Sequence, residues 1–308
     1  MGFSIPFLRQ TDATIESNTL SGKSQNGFEL TWLESNSWFW KVNGVSLLVD
    51  PVIEGALDFG IPSVYSGVKK IVPSRVAELP PQFTAGADAV LITQGLDDHC
   101  HLRTLKALAK ILPELVPLVV APSAFSKVAS VFGEDRVRVL RKGEATKVKA
   151  LKGGGQVRVE ATEGALVGPP WQARENGYIV YNPKGKSLKT LYYEPHCDTS
   201  SGSLEGKQAD IVITPVTFQR LFGVYDLVKG GREAITLARS LGAKVVVPMQ
   251  NGDLISEGPL AKAVVSEGSV DSFKRAILMM ESEEEGGKAG ESFSPRVVDA
   301  RALETIPL

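Results

Sequence analysis

Apolar and polar positions along this chain change their period twice in the same sense, from strand-type runs to helical spacing. In the first block, aromatic and β-branched runs at residues 28–33, 38–42 and 45–49 predict three strands. Asn43-Gly44 supplies the two-residue loop of a type I′ hairpin between the last two. Asp50-Pro51 ends the hairpin, and residues 54–81, with many Gly and Pro, read as a long surface excursion. A buried strand follows at 89–93. Apolar residues at 102, 105, 108, 109 and 112 keep to one helical face and predict a helix over 102–112. A strand at 118–121, a helix at 123–132 and a strand at 137–140 complete a βαβαβ run.

The second block begins again with strands, at 145–151, 156–162, 177–181 and 188–193, with 182–186 as a hairpin loop. A strand at 210–214, a helix at 230–241, a strand at 244–248 and a closing helix at 269–281 follow, and the acidic, glycine-rich stretch 281–290 reads as a loop. Antiparallel strands followed by βα units, twice over, predict an α+β fold: an αββα sandwich of two mixed β-sheets with helices on the outer faces. Residues 28–308 are expected to form a single domain behind a polar, disordered lead-in at 1–27.

Composition narrows the partners. With 308 residues, 43% of them hydrophobic, the chain can fill a sizeable core. A net charge of -1 from 34 basic and 35 acidic residues gives no reason to expect nucleic acid or an anionic membrane as partner. The apolar runs are far shorter than a membrane span of about 20 residues, so a soluble protein is expected. Two cysteines, Cys100 and Cys197, are a poor basis for a disulfide framework and suit a reducing compartment. Gly153-Gly154-Gly155 falls between predicted strands and reads as a turn, not a phosphate cradle.

The candidate chemistry lies in two loops. His99 and His101 stand beside Asp97 and Asp98 directly after the 89–93 strand, and His196 follows the 188–193 strand. These are all the histidines of the chain, and a cluster of ligand-type residues at two strand ends suits a metal site with one side left open. The plainer reading makes Asp97 or Asp98 the N-cap of the following helix, with His101 in a capping or supporting role. Cys100 or Cys197 could also act as a nucleophile with a neighbouring histidine as base. Adjacent residues on an extended segment point apart, which weighs against it.

Trp32-Leu33, Asn36-Ser37-Trp38-Phe39, the run 45–51 and the run 91–99 resemble the metallo-β-lactamase fold hydrolases, and the resemblance covers most of residues 28–280. The stretch Gln94-Gly95-Leu96-Asp97-Asp98-His99 and Glu194-Pro195-His196 are similar to those of a plant and cyanobacterial subgroup. The superfamily loop reads His-x-His-x-Asp-His, so the resemblance puts Gln94 and Leu96 where its first two histidines stand. In order, Glu163 would fall near the middle histidine, His196 at the bridging aspartate and Gln250 at the last histidine. The resemblance therefore implies that one subsite is lost, because Leu96 cannot coordinate an ion. The other keeps Asp98 and His99, gains His196, and has Gln250 as a weak oxygen donor.

Such a set implies a single Zn²⁺, with Fe²⁺ or Mn²⁺ as alternatives. Two-metal chemistry, which needs ions about 3.5–4 Å apart, is not expected. The implied activity is metal-dependent hydrolysis of an ester, thioester, lactone or phosphodiester in a small-molecule substrate. Asp98 would serve both metal and catalysis, and Glu163 or Glu194 would act as general base or proton shuttle. The alternative is a catalytically silent domain that binds a small ligand or protein partner, for which Leu96 is the strongest argument. The resemblance favours the cytoplasm or plastid stroma and leaves the oligomeric state open. Loops 54–81 and 166–176 are expected to cover the site.

Overall fold

The computed structural model describes residues 27–166, 174–198, 200–285 and 293–308. The lead-in up to residue 26, Pro169-Pro170-Trp171 of the 166–176 loop and the stretch 286–290 lie outside the described residues. The first half forms β1 (Phe28–Trp32), β2 (Trp38–Val42), β3 (Val45–Val49), β4 (Ser66–Val68), β5 (Ala89–Ile92), α1 (Leu102–Leu108), β6 (Leu118–Val120), α2 (Phe125–Phe132) and β7 (Val137–Val139). The second half opens with β8 (Ala145–Lys149), β9 (Gln156–Glu163), β10 (Asn176–Tyr181), β11 (Thr190–Tyr193), β12 (Ile211–Pro215), β13 (Phe218–Leu221) and β14 (Tyr225–Val228). It continues through α3 (Arg232–Ser240), β15 (Val245–Met249), β16 (Ile255–Glu257), α4 (Pro259–Ala263), β17 (Val264–Glu267), α5 (Val270–Glu285), β18 (Arg296–Val297) and β19 (Thr305–Pro307).

Two seven-stranded sheets result, ordered β19-β1-β2-β3-β5-β6-β7 and β18-β15-β12-β11-β10-β9-β8. Both are mixed: each pairs its early strands antiparallel and then adds parallel strands, β3, β5, β6 and β7 in one and β11, β12, β15 and β18 in the other. The β2–β3 turn is tight because Asn43 and Gly44 both take positive φ, 49° and 76°, as a primed hairpin turn requires.

Alternation along the strands puts one set of side chains between the sheets and the other under the helices. Trp38, Trp40, Tyr193 and Met249 lie in the central layer, where Trp40 meets Tyr193 edge-on with ring centroids 5.4 Å apart. Residues of α1 and α2 cover the first sheet from outside, and residues of α3 and α5 cover the second. This is the αββα sandwich. Helix α1 stops at Leu108, four residues before the predicted end, as the chain approaches Pro113.

The segment after β12 carries structure that the hydrophobic pattern does not announce. β14, β13 and β17 form a three-stranded sheet, and β16 pairs with β4 of the 54–81 excursion. None of the described helices is long and apolar enough to cross a membrane.

Candidate metal centre

Four strand ends and one turn meet at a single point. β3 ends at Asp50, which is buried with φ 41°, a conformation that non-glycine residues rarely hold unless surrounding bonds impose it. Those bonds are present: Asp50 Oδ1 accepts the Thr93 amide at 2.8 Å, and Oδ2 accepts the Thr93 hydroxyl at 2.6 Å. His99 Nδ1 lies 2.8 Å from the same Oδ2, and Tyr193 shares its hydroxyl between Asp50 Oδ2 at 3.1 Å and the Asn36 carbonyl at 2.9 Å. A carboxylate on Nδ1 fixes the ring and aims Nε2 into the site, as the partners of metal-bound histidines do.

The loop after β5 bends sharply at Gly95, where a Cβ would stand 2.5 Å from the Ser123 carbonyl, so only glycine fits. That bend delivers Asp98 and His99. The loop after β11 delivers His196. One ligand atom from each of these three residues lies within 4.8 Å of the others. The His99 and His196 rings stand 5.2 Å apart at 38°.

The donor set fits a divalent ion of the zinc or iron type: two imidazoles and a carboxylate. Two oxygens beside it, Asp98 Oδ1 and Gln94 Oε1, are buried without a hydrogen-bond partner, which is costly unless a cation or a donor satisfies them. Burial alone would push the His99 imidazole down, yet Asp98 and Asp50 outweigh it and hold the ring up at about 10. The two carboxylates that draw a proton onto this ring draw a cation just as well. One group competes. Asn36 Nδ2 lies 2.9 Å from His99 Nε2, with its amide oriented by the Asp98 carbonyl at 3.1 Å and by Asn251 Nδ2 on its own Oδ1 at 2.8 Å. An ion at Nε2 requires this amide to give way.

The His196 loop is held from both sides. Glu194 accepts the backbone amides of His196 at 3.0 Å and Asp198 at 2.9 Å. Asp198 in turn meets Arg174 at 3.0 Å, Lys229 at 3.2 Å and both donors of Ser200. Burial would raise the Asp198 carboxyl, but Ser200 and Lys229 outweigh it and hold it well below the usual carboxylate range. Gln94 Nε2 lies 3.5 and 3.3 Å from the two His196 nitrogens, a placement against the ring and in line with neither lone pair.

The other expected site residues are placed differently. The Glu163 carboxylate pairs with Lys142 at 2.9 Å near the surface, which suits an ion pair better than a general base at the cluster. Glu194 is fully engaged in holding the His196 loop. Gln250 is half-buried, and the side chain of that turn which enters the network is its neighbour Asn251. His101 is the N-cap residue of α1 and makes no side-chain cap; its Nδ1 bonds Thr104 Oγ1 at 2.8 Å. Burial, helped by Arg103, presses that imidazole down to about 4. Both cysteines are buried, and burial pushes the Cys100 thiol up to about 12 and raises Cys197 as well, the reverse of what a nucleophile needs.

Four contributors escape a reading of ligand types and spacing: Asp50, Asn36, Asn251 and Glu175. The Glu175 carboxyl is buried, accepts the Ser123 hydroxyl and feels the charges of His99, His196 and Asp98; burial dominates and raises it. Asp50 had one visible signal, a carboxylate at a strand end in the block that resembles the superfamily.

Residues 29–250 match the family model of the beta-lactamase superfamily domain, and the chain belongs to that family. No curated protein matches the chain. Among solved structures, a metallo hydrolase from the archaeon Ignicoccus hospitalis is 16% identical, with TM-score 0.57, over 92% of this chain and 99% of its own. An isothiocyanate hydrolase from Delia radicum gut bacteria is 15% identical, with TM-score 0.57, over 90% of this chain and 98% of its own. CmlA, a diiron β-hydroxylase from Streptomyces venezuelae, is 14% identical, with TM-score 0.57, over 92% of this chain and 54% of its own. At these identities the likeness is one of fold.

Proposed function

We propose that this protein is a metal-dependent hydrolase that uses one divalent ion against an ester, thioester, lactone or phosphodiester bond. The observation that carries the reading is the convergence of Asp98, His99 and His196, with His99 aimed by a buried carboxylate. Zn²⁺ is the ion favoured by the donor set, with Fe²⁺ or Mn²⁺ as alternatives. Such an ion supplies Lewis acidity and acidifies water, so that a nucleophile is available near neutral pH. The family resemblance puts Leu96, which is 42% exposed and cannot coordinate an ion, at a ligand position of the second subsite, and this favours a single ion.

The chain's own residues set the rest. Asp50 keeps the Nδ1 proton of His99 and leaves Nε2 as the ligand atom. Glu194 and Asp198 fix the backbone that presents His196. Glu175, a buried carboxyl linked through the Ser123 hydroxyl to the Gly95 amide of the loop that carries Asp98 and His99, is suited to hold and pass a proton. The contacts of Glu163 support no such role.

The second reading, a non-catalytic binding domain, draws on the neighbours of His99 Nε2, Asn36 Nδ2 at 2.9 Å for the neutral ring and Asp98 Oδ2 at 3.3 Å for the protonated one, which serve that nitrogen without an ion. Chelator-treated protein, assayed on p-nitrophenyl esters and bis(p-nitrophenyl) phosphate before and after adding Zn²⁺, Fe²⁺ or Mn²⁺, separates the two. Activity restored by an ion in wild type but not in His196→Ala supports the hydrolase. No turnover with any ion favours the binding domain.

A further inference from the structure

A cavity of about 780 Å³ opens directly from the proposed centre. Asp98, His196, Asn36 and Asn251 form its polar end. Away from them the lining turns apolar, with Leu57, Leu96, Leu221, Leu227, Leu254 and Leu260 supplied by the 54–81 excursion, the Gly95 loop, β13, β14, the approach to β16 and α4. Among the described lining residues the carboxylates and amines besides Asp98 are those of Glu257 and Lys262, both exposed. Gln219 is turned to Ser266 Oγ at 3.2 Å, and the Tyr65 hydroxyl lies 3.1 Å from Ser256 Oγ.

A volume of this size suits a small-molecule ligand, and such pockets are usually apolar with a few placed polar groups. Here the ligand-type side chains, Asp98 and His196, lie at one end, and two polar pairs of the wall, Gln219 with Ser266 and Tyr65 with Ser256, bond each other. The geometry points to a substrate with an aliphatic acyl chain on its scissile carbonyl, the carbonyl at Asp98 and His196 and the chain along the leucine wall. This rests on the hydrolase reading for the head group and on the cavity alone for the chain. A charged or sugar-like leaving group gains little from that wall, where leucines predominate and Gln219 and Tyr65 are already paired with Ser266 and Ser256. A phosphodiester without a chain would leave most of the apolar surface wet.

The test combines turnover with binding. Each methylene moved from water into an apolar wall is worth about fourfold. Across p-nitrophenyl acetate, butyrate, octanoate and dodecanoate, kcat/KM should climb by about two- to fourfold per methylene until the cavity is full. Leu260→Asp and Leu221→Trp should flatten that climb, with circular dichroism reporting the fold. The fluorescent fatty acid cis-parinaric acid should bind wild type, lose at least tenfold in affinity in Leu260→Asp, and be unaffected by Leu278→Ser on α5. Hydrolysis independent of chain length, with no probe bound, would overturn the acyl-chain assignment and leave the hydrolase standing. Probe binding that Leu260→Asp abolishes, with no ester cleaved at any length, would uphold the chain site and remove the hydrolase.

Discussion

The centre and the wall above it differ in how tightly their parts are held. Around His99, Asp50 and Thr93 are fully buried and each is tied to several partners across different strands. The wall formed by β13, β14, β16, α4 and β17 is half-exposed, and the residues of β16 are all exposed. A side chain at the centre therefore cannot move without breaking several buried bonds at once. A leucine on the wall can be exchanged at little cost to the fold. Position is over-determined at the proposed ligands and loosely specified along the proposed substrate wall, so the first would fix chemistry and the second would let specificity drift.

Substitutions probe that contrast in descending order. Asp50→Ala removes one partner of a buried pair and should cost about 3–5 kcal/mol in denaturant unfolding. It should also weaken ion binding by about 10- to 100-fold, because the ring of His99 loses its orienting partner. An unfolding midpoint equal to wild type would mean that the centre is no more rigid than the wall. Gly258→Ala is the largest effect expected from the wall. Gly258 has φ 97° and a Cβ there would meet the Val64 carbonyl, so a loss of about 1–3 kcal/mol should accompany altered ester preference with ion content unchanged.

Tyr193→Phe deletes only the hydroxyl shared by Asp50 and Asn36 and should cost about 1–2 kcal/mol. Asp198→Asn makes a pH-dependent prediction. Its carboxyl is held below its ordinary value of 3.8, so the stability it contributes is present above pH 3.8 and is lost as the pH falls through the lower folded value. The variant should be less stable than wild type at pH 7, and the gap should narrow below pH 3.8. Leu278→Ser, on a surface position of α5 that is 62% exposed, should stay within about 0.5 kcal/mol of wild type.

The same contrast explains which parts could be read in advance. The inner strands of the two large sheets are nearly continuous apolar runs such as Val45–Val49 and Val245–Met249, buried on both faces, so their pattern survives in sequence. The candidate cluster was legible because Asp98, His99 and His196 combine rare residue types with strand ends. The wall was not: β13 and β14 mix exposed and buried positions and slip register at Gln219 and Arg220, so neither alternation nor a helical period stands out. Asp50 and Glu175 escaped because a carboxylate's role depends on what the fold brings to it across 43 and 52 positions. Glu163 and Gln250 were selected by order along the chain, and the fold turns one toward Lys142 and brings Asn251 in where the other was expected.

The central claim is one ion, held by Asp98, His99 and His196. Elemental analysis of protein purified without chelator or nickel, then loaded with Zn²⁺, Fe²⁺ or Mn²⁺ and desalted, tests it most directly. Wild type should carry one ion per chain, and His99→Ala and His196→Ala, each shown to be folded by circular dichroism, should carry none. Two ions per chain, or none after loading with any of the three, would contradict it.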